Sequence, residues 1–299
     1  MTELAGRYDL RDEIARGGMA SVHLAVDKVL KRPVAVKLLA LERAHDYAYR
    51  DAVRREALSG ARLTHPNVAR IYDYGETERN GRFLPFVVME YVPGHALSAL
   101  LSAKGPMPWR QAAQICADVA RALAAAHDRN VVHRDVKPGN IILSPSGAKI
   151  VDFGLSARVG ENVIDDEGRI WGTAAYFAPE QLRGAPAGPA ADVYALGLVL
   201  HACLTGRPAW SGSTIDQMLL ARRLSPAPHL PSGSTLPEPL LAIHRRCLSP
   251  QPRKRPTARR VAQLLREAAA GRSTEHRPRS IWGPLRNGRP DECRGGHAA

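Results

Sequence analysis

The chain has 299 residues, of which 44% are apolar and 24% charged, so it is long enough and apolar enough to bury a sizeable core. Its formal charge of +13, from 42 basic and 29 acidic residues, favours acidic partners such as nucleotide phosphates. The sequence contains no nucleic-acid-binding motif, no C-x-x-C spacing and no secretory signal, and no apolar run approaches the roughly 18 residues of a spanning helix. We therefore expect a cytoplasmic protein without a membrane span, a zinc site or a nucleic-acid partner.

The first third of the chain carries the pattern of a β-rich region. Alternating or continuous apolar runs predict strands over 8–14, 21–26, 33–39 and 83–92. Before the last of these strands, residues 47–63 have the spacing of a helix. The last strand ends at Pro93-Gly94, which we take as the boundary of this region.

The remainder of the chain is dominated by helical patterns. Apolar residues at helical spacing predict helices over 109–127, 192–204, 240–248 and 257–270. The last of these begins after Pro256 and ends before Gly271. The residues that follow combine glycine, proline and arginine with few apolar side chains, so they are expected to form a basic, disordered tail.

The segment 132–154 contains the residue types that suggest chemistry. It reads VHRDVKPGNIILSPSGAKIVDFG, in which Ile-Ile-Leu and Lys-Ile-Val predict a hairpin joined by a Ser-Pro-Ser-Gly turn. Such a hairpin would bring Asp135, Asn140 and Asp152 together at one end. Two carboxylates and an amide suit a hard cation such as Mg²⁺, with one carboxylate left to orient or deprotonate a hydroxyl.

Two parts of this segment resemble a known family. The run HRDVKPGN, from His133 to Asn140, and Asp152-Phe153-Gly154 are similar to the catalytic loop and magnesium-binding triplet of eukaryotic-like serine/threonine protein kinases. The resemblance extends over about residues 8–268, and the alanine- and arginine-rich composition is more typical of bacterial members. It implies transfer of the γ-phosphoryl group of ATP to serine or threonine hydroxyls of proteins, including autophosphorylation, in signal transduction.

The resemblance also implies a fold and a domain organisation. The expected fold is α+β, the bilobal protein-kinase fold with a small β-rich N-lobe and a larger helical C-lobe. The expected boundaries are an N-terminal tail over 1–7, the N-lobe over 8–92, the C-lobe over 93–268 and a basic tail over 269–299.

Roles in the catalytic loop follow from the same resemblance. Asp135 would accept or orient the proton of the substrate hydroxyl, and Lys137 would bring a positive charge near the transferred phosphoryl group. Asn140 and Asp152 would hold Mg²⁺, or alternatively Mn²⁺, between the phosphates. His133 would support the loop structurally, since the family gives the role of base to the aspartate.

A lysine and a glutamate of the N-lobe match the family's ion pair. Lys37 closes the strand motif Val-Ala-Val-Lys, whose lysine holds the α- and β-phosphates in the family. Glu56 lies where the family's helix glutamate is found and would pair with Lys37. Because Arg54 and Arg55 flank Glu56, a local charge cluster on the helix surface is the other interpretation.

The family's nucleotide site maps onto the N-lobe and the hinge. The expected ATP-binding residues are Ile14, Ala15, Arg16, Gly17, Gly18, Met19, Ala20, Ser21, Val22, Ala35, Lys37, Met89, Glu90 and Val92. Met89 would be the gatekeeper beside adenine, and the backbone of Glu90 and Val92 would form the hinge hydrogen bonds. Ala15 and Ala20 stand where the family's loop has glycines, so we expect weakened ATP binding rather than lost activity.

Downstream motifs distinguish a protein substrate from a small molecule. Ala178-Pro179-Glu180 closes the activation segment, and Asp192 begins a motif that resembles the protein-kinase F helix. Arg255 is expected to pair with Glu180. In the family these motifs build a platform for a peptide, and Thr173 matches the threonine that contacts the catalytic loop.

The activation segment leaves two interpretations open. In the family, Arg134 binds a phosphate on this segment, but here the only serine or threonine hydroxyls in it are Ser156 and Thr173. Either the acidic run Asp165-Asp166-Glu167 supplies a permanent negative charge to Arg134, or it is a solvated loop.

Two other functional classes are alternatives to the kinase interpretation. A pseudokinase that acts as a nucleotide-binding scaffold is compatible with the altered glycine loop. The retained polar residues argue against it: Lys37, Glu56, Asp135, Asn140 and Asp152. Nucleic-acid binding through the basic surface would require a steep salt dependence.

Overall fold

The structure is a computed structural model. It describes residues 3–17, 20–39, 47–79, 82–153, 174–210, 215–225, 230 and 236–271. Within these ranges, no helix combines the length and the hydrophobicity needed to cross a membrane. The predicted C-terminal tail lies almost wholly outside the described residues.

The N-terminal region is built on a six-stranded antiparallel sheet. Its strands are β1 (Glu3–Leu4), β2 (Tyr8–Gly17), β3 (Ala20–Asp27), β4 (Arg32–Leu39), β5 (Ile71–Arg79) and β6 (Arg82–Glu90), in the order β1-β2-β3-β4-β6-β5. Helix α1 (Tyr47–Ala61) connects β4 to β5 and packs on β5. The four predicted strands and the helix are confirmed. The resemblance of residues 63–68 to the family's connection into its fourth strand implied β5 without bounds, and the short β1, which lies in the predicted N-terminal tail, was not predicted.

Side-chain alternation along β4 shows why this sheet forms. Val34 and Val36 are fully buried on one face, where they pack with residues of β2 and β6. Ala35 and Leu39 point to the opposite face, where they pack with Val53 of α1. The central strand is therefore buried on both sides, and α1 covers one of them.

The C-terminal region is mainly helical. Its helices are α2 (Leu97–Lys104), α3 (Trp109–His127), α4 (Pro189–Thr205), α5 (Ile215–Leu224), α6 (Glu238–Cys247) and α7 (Ala258–Ala270). A small antiparallel sheet contains β7 (His95–Ala96), β8 (Ile141–Ser144) and β9 (Gly147–Ile150). The four predicted helices and the predicted hairpin are confirmed, and α2 and α5 are additional.

Helix α3 lies at the centre of the C-terminal core. It packs on α4, α7 and β9, and twelve of its nineteen residues are buried. Most of the buried residues are alanines, so the neighbouring helices can approach α3 closely. Helix α4 is buried around its whole circumference from 191 to 203, as its continuous apolar sequence indicates.

Backbone hydrogen bonds join the N-terminal and C-terminal regions at the hairpin of β8 and β9. Asn67 and Ala69, which follow α1, each form a main-chain hydrogen bond with Ile150 of β9, at 2.9 and 3.0 Å. The Asn67 side chain also donates to the carbonyl oxygen of Ala148 at 2.7 Å. A β-rich lobe and a helical lobe connected in this way form the predicted bilobal α+β fold.

Candidate active site

The catalytic-loop aspartate is held by two neighbours in the loop. The Asn140 amide nitrogen donates to the main-chain oxygen and to Oδ2 of Asp135, both at 2.9 Å. Lys137 Nζ lies 2.7 Å from the same Oδ2. The predicted convergence of Asp135 and Asn140 at the end of the hairpin is thus confirmed, and Lys137 joins them.

His133 supports this loop through both of its ring nitrogens. Its Nε2 lies 2.9 Å from the main-chain oxygen of Val151, and its Nδ1 accepts a hydrogen bond from the Asp135 main chain at 3.2 Å. The ring also contacts the edge of Phe153, with centroids 4.6 Å apart. Because both nitrogens are engaged and the residue is fully buried, the geometry agrees with a structural role.

Asp192 of α4, the aspartate of the F-helix motif, holds the catalytic loop through hydrogen bonds. Asp192 is buried in α4 and accepts hydrogen bonds from the main chains of His133 and Arg134, at 2.9 and 2.8 Å. Its Oδ2 also lies 2.8 Å from Nε2 of His127, at the end of α3. Arg134 has a φ of +68°, so these bonds hold a backbone conformation that non-glycine residues rarely adopt.

Lys37 reaches across from the N-lobe to the magnesium-binding triplet. Its Nζ lies 3.0 Å from Oδ2 of Asp152, and both side chains are largely buried. Asp152 has a φ of +63°, which the surrounding structure must maintain. The side chain of Glu56 lies outside the described residues, so the Lys37 to Glu56 pair stays a prediction.

The residues expected around adenine lie on the neighbouring strands β4 and β6 and just after β6. Ala35 is paired with Met89 in the sheet, and Ala35, Met89 and Val92 are buried. Val22 of β3 is paired with Lys37 of β4, so it lies beside the strand that carries Ala35. Glu90 ends β6, where its main-chain nitrogen donates to the Arg70 carbonyl oxygen at 2.8 Å.

The predicted glycine-rich loop is the end of the β2–β3 hairpin. Ala15, Arg16 and Gly17 pair with Val22, Ser21 and Ala20 respectively, and Ile14 is about half exposed. Neither Ala15 nor Ala20 has a left-handed backbone, so neither alanine strains the chain. The expected weakening of ATP binding therefore depends on their methyl groups alone. Gly18 and Met19 lie outside the described residues.

The expected ion pair beside the peptide platform is present. Arg255 contacts both carboxylate oxygens of Glu180, at 2.6 and 2.7 Å, and its side chain is fully buried. It also donates to the carbonyl oxygen of Ala190 at 2.9 Å. Such bidentate, desolvated pairs fix geometry strongly. Thr173, Ser156 and the acidic run 165–167 lie outside the described residues, so the roles expected for them stay predictions.

Comparison with known proteins agrees with this geometry. The family model described as "Protein kinase domain" matches residues 8–265. The chain belongs to the protein kinase family. The serine/threonine-protein kinase PknB of Mycobacterium leprae is 43% identical to this kinase over 213 residues, which are 71% of this chain and 34% of that protein.

A second relative and a solved structure extend the comparison. The serine/threonine-protein kinase PknA of Mycobacterium tuberculosis is 41% identical over 230 residues, 76% of this chain and 53% of that protein. The crystal structure of the Mycobacterium tuberculosis PknI kinase domain matches with a TM-score of 0.66 at 26% identity, covering 89% of this chain and 98% of that one. The chain is a eukaryotic-like kinase of the bacterial serine/threonine type, and it spans about a third of the PknB relatives' length.

The oxygen atoms near the hairpin fit a hard cation. Because the Asn140 amide nitrogen is bonded to Asp135, its amide oxygen is left as a ligand. Lys37 contacts Oδ2 of Asp152, and among the described residues no contact is seen for the second carboxylate oxygen. Two protein oxygens are a typical set for Mg²⁺ that also binds phosphates and water.

Three contacts near the site were not predicted from the sequence. Lys149 of β9 lies 2.6 Å from the Glu90 carboxylate at the hinge. His127 contacts Asp192, and Arg222 of α5 donates to a main-chain oxygen beside the platform. Glu90 and Asp192 belong to predicted motifs, but no motif assigns a partner to Lys149, His127 or Arg222, so only the three-dimensional arrangement reveals the contacts.

Proposed function

We propose that this kinase transfers the γ-phosphoryl group of Mg²⁺-bound ATP to serine or threonine hydroxyls of proteins, including its own. The observation that carries the proposal is the arrangement around Asp135, with Lys137 and Asn140 on its carboxylate and Lys37 on Asp152. Phosphoryl transfer needs an oriented hydroxyl and neutralised phosphate charge, and it needs little covalent help from the protein. The arrangement supplies both requirements.

Each side chain has one task in this proposal. Asp135 orients the substrate hydroxyl and accepts its proton. Lys137, already beside that carboxylate, stabilises the charge of the transferred group. Lys37 binds the α- and β-phosphates with Glu56 as its partner, and Thr173 supports the catalytic loop.

The nucleotide and the ion have their own residues. Asn140 and Asp152 would hold Mg²⁺, which neutralises phosphate charge when bound. We assign adenine and phosphate binding to residues 14–22, Ala35, Lys37, Met89, Glu90 and Val92. Ala35 and Met89 are buried neighbours on adjacent strands, and this apolar surface supports the assignment of adenine to this part of the sheet. We propose the domain boundaries on the same basis: tails over 1–7 and 269–299, and lobes over 8–92 and 93–268.

A protein substrate is supported by the platform beside the site. The buried pair of Glu180 and Arg255 fixes the chain that follows the activation segment. A small-molecule phosphotransferase would have no need of a rigid peptide platform. We therefore propose that the hydroxyl is presented by a polypeptide chain.

The test compares the unaltered kinase with Asp135→Asn. Both are incubated with labelled ATP, Mg²⁺ and a generic basic protein substrate. The amide keeps the size of the side chain but cannot accept the proton, so we expect incorporation to fall by about a hundredfold or more. Asp128→Asn is the control, because Asp128 is an exposed carboxylate paired with Arg259 on the surface.

The outcomes separate the proposal from its main alternative. Loss of incorporation in Asp135→Asn but not in Asp128→Asn supports the proposed kinase. If the unaltered protein binds ATP yet labels neither itself nor any substrate, the proposal is wrong and a nucleotide-binding scaffold replaces it.

A further inference from the structure

Arg222 of α5 reaches the main chain beside the peptide platform. Its Nη2 donates to the carbonyl oxygen of Phe177 at 2.5 Å. Its guanidinium lies 4.5 Å from the centre of the Trp210 ring, and it shares a hydrogen bond with the Tyr194 side chain. A single side chain of α5 therefore contacts the platform, helix α4 and the loop after α4.

The surroundings of Arg222 are apolar. Phe177, Tyr194 and Trp210 are all buried and belong to one cluster, against which Ala221 of α5 also packs. Burial lowers the pKa of the Arg222 guanidinium, and its interaction with Tyr194 opposes that shift. A desolvated cation is retained only where its hydrogen bonds are made with good geometry. Loss of the hydrogen bond to the Phe177 oxygen would therefore leave a desolvated cation with an unsatisfied donor, which is unfavourable.

Two of the described side chains of α5 are exposed leucines. Leu220 and Leu224 are 54% and 76% exposed, so this side of the helix does not pack on the lobe. Ala221 and Arg222, which lie between these leucines, do pack on it. The Arg222 contact therefore joins α5 directly to the main chain at Phe177.

Two arginines hold the two ends of one short segment. Arg255 binds the side chain of Glu180, and Arg222 binds the main chain at Phe177, three positions earlier. Tyr194 links them, because the Arg255 guanidinium lies 4.8 Å from the centre of its ring while Arg222 bonds to its side chain. Both arginines act on the segment 177–180, which contains the Ala178-Pro179-Glu180 motif of the proposed peptide platform.

We propose that Arg222 is a positioning residue for the protein substrate. It fixes the main chain at 177–180 relative to α5, so that a bound peptide meets a preformed surface. The inference rests on the proposed kinase function. Because the contacts described for Arg222 are with Phe177, Tyr194 and Trp210, on the side of the peptide platform, we expect its loss to alter peptide binding more than ATP binding.

The unaltered kinase is first used to select a serine- or threonine-containing peptide substrate from an arrayed library. The test then measures the steady-state kinetics of three variants with that peptide. Arg222→Met keeps the length of the side chain but removes its charge and donors. We expect the KM for the peptide to rise about tenfold or more, as for loss of a charged hydrogen bond, with the KM for ATP within about twofold. Arg222→Lys should be intermediate, because lysine keeps the charge without the planar fork. Arg207→Met, at an exposed arginine in the loop after α4, is the control.

Hydrogen exchange supplies a readout that needs no activity. The amides of Gln181, Leu182 and Arg183 are bonded to oxygens at 178–180, so their exchange reports on the platform. We expect faster exchange there in Arg222→Met and Arg222→Lys, and no change in Arg207→Met.

Several outcomes would overturn the inference. An unchanged peptide KM in both Arg222 variants, or an equal rise in Arg207→Met, would remove the assigned role. If the unaltered chain phosphorylates nothing, the proposed function fails by itself, and Arg222 then loses its role in substrate binding. In that case unchanged exchange in Arg222→Lys would also show that α5 and the platform are uncoupled.

Discussion

At the scale of single residues, the hinge contact of Lys149 gives a stability prediction. Lys149 donates to Glu90 at 2.6 Å, and both side chains are mostly buried, at 16% and 22% exposure. Lys149→Met would leave the Glu90 carboxylate with its weaker donor, the Arg70 main chain at 3.2 Å. We expect a loss of about 1–2 kcal/mol, or roughly 2–8 °C in Tm by thermal unfolding.

An exposed ion pair is the matched control for this prediction. Arg245 and Glu238 form a pair in α6 whose side chains are 57% and 70% exposed. Such pairs contribute about 0–1 kcal/mol, so Arg245→Met should change Tm less. Equal losses in the two variants would mean that the hinge pair is no more stabilising than a surface pair.

Contacts between residues were predictable only where both partners belong to motifs of the family. The Asp135 to Asn140 contact and the pair of Glu180 with Arg255 were expected from the family pattern and are present. Lys149 was not predicted to contact Glu90, because the family pattern assigns Glu90 a backbone role at the hinge and assigns Lys149 no partner. Its partner depends on how β9 lies against Glu90 at the end of β6. The spacing of residues in the sequence does not specify that arrangement.

At the scale of helices, a glycine sets the distance between α4 and α6. A Cβ added at Gly197 would lie 2.8 Å from Cys247 Cβ and 2.9 Å from Leu248 Cδ2. Alanine gains about 1 kcal/mol of helix propensity, but overpacking costs about 1–3 kcal/mol. Since the nearest atom is a Cβ that cannot rotate away, we expect Gly197→Ala to lower the free energy of unfolding in urea.

Gly60 of α1 offers a matched substitution. An added Cβ there would meet Ile71 Cδ1, the far end of a flexible side chain, at 2.6 Å. Rotation of Ile71 can relieve that contact, so Gly60→Ala should be nearly neutral. If Gly197→Ala proved the more stable of the two variants, the two helices would not be in tight contact.

Helices were predictable where one face is clearly apolar. The bounds expected for α3 agree with the structure, because its apolar residues recur at helical spacing over 109–127. Thr257 was expected to open α7, and in the structure it is the N-cap, accepting from the Arg260 main chain at 3.2 Å. Helix α5 was missed; among its described side chains Leu220 and Leu224 are exposed, so these apolar residues do not mark its buried side.

At the scale of the whole molecule, the division into lobes was predictable but their connection was not. The change from strand to helix patterns after residue 92 indicates the division. The hydrogen bonds between Asn67, Ala69 and Ile150 depend on main-chain atoms, whose partners side-chain patterns do not specify. The same holds for Arg222, whose partner is the main chain of Phe177.

A buried histidine pair predicts how the stability of the whole fold depends on pH. His201 of α4 lies 3.3 Å from His244 of α6, between Nδ1 and Nε2, and both residues are buried. Burial, with a smaller effect of Arg207, lowers the pKa of His201 to about 4, below its value of about 6.5 in an unfolded chain. The unfolded state therefore binds more protons between these two values. Stability is fully present above about pH 6.5 and falls, by at most about 1.4 kcal/mol per pH unit, towards pH 4.

Urea unfolding at several pH values between 7.5 and 4.5 tests this dependence. His201→Gln removes the titrating group, so its midpoint should change less with pH than that of the unaltered kinase, whatever its absolute stability. His95→Gln, at an exposed histidine of β7, should keep the full dependence. Asp27 does not interfere, because the Arg7 guanidinium lowers the pKa of that carboxyl to about 2 and its contribution is lost only in more acidic solution. If all three proteins had the same slope between pH 6.5 and 4.5, the proton uptake would belong to other groups, and burial of the His201 ring would not limit the acid stability of the fold.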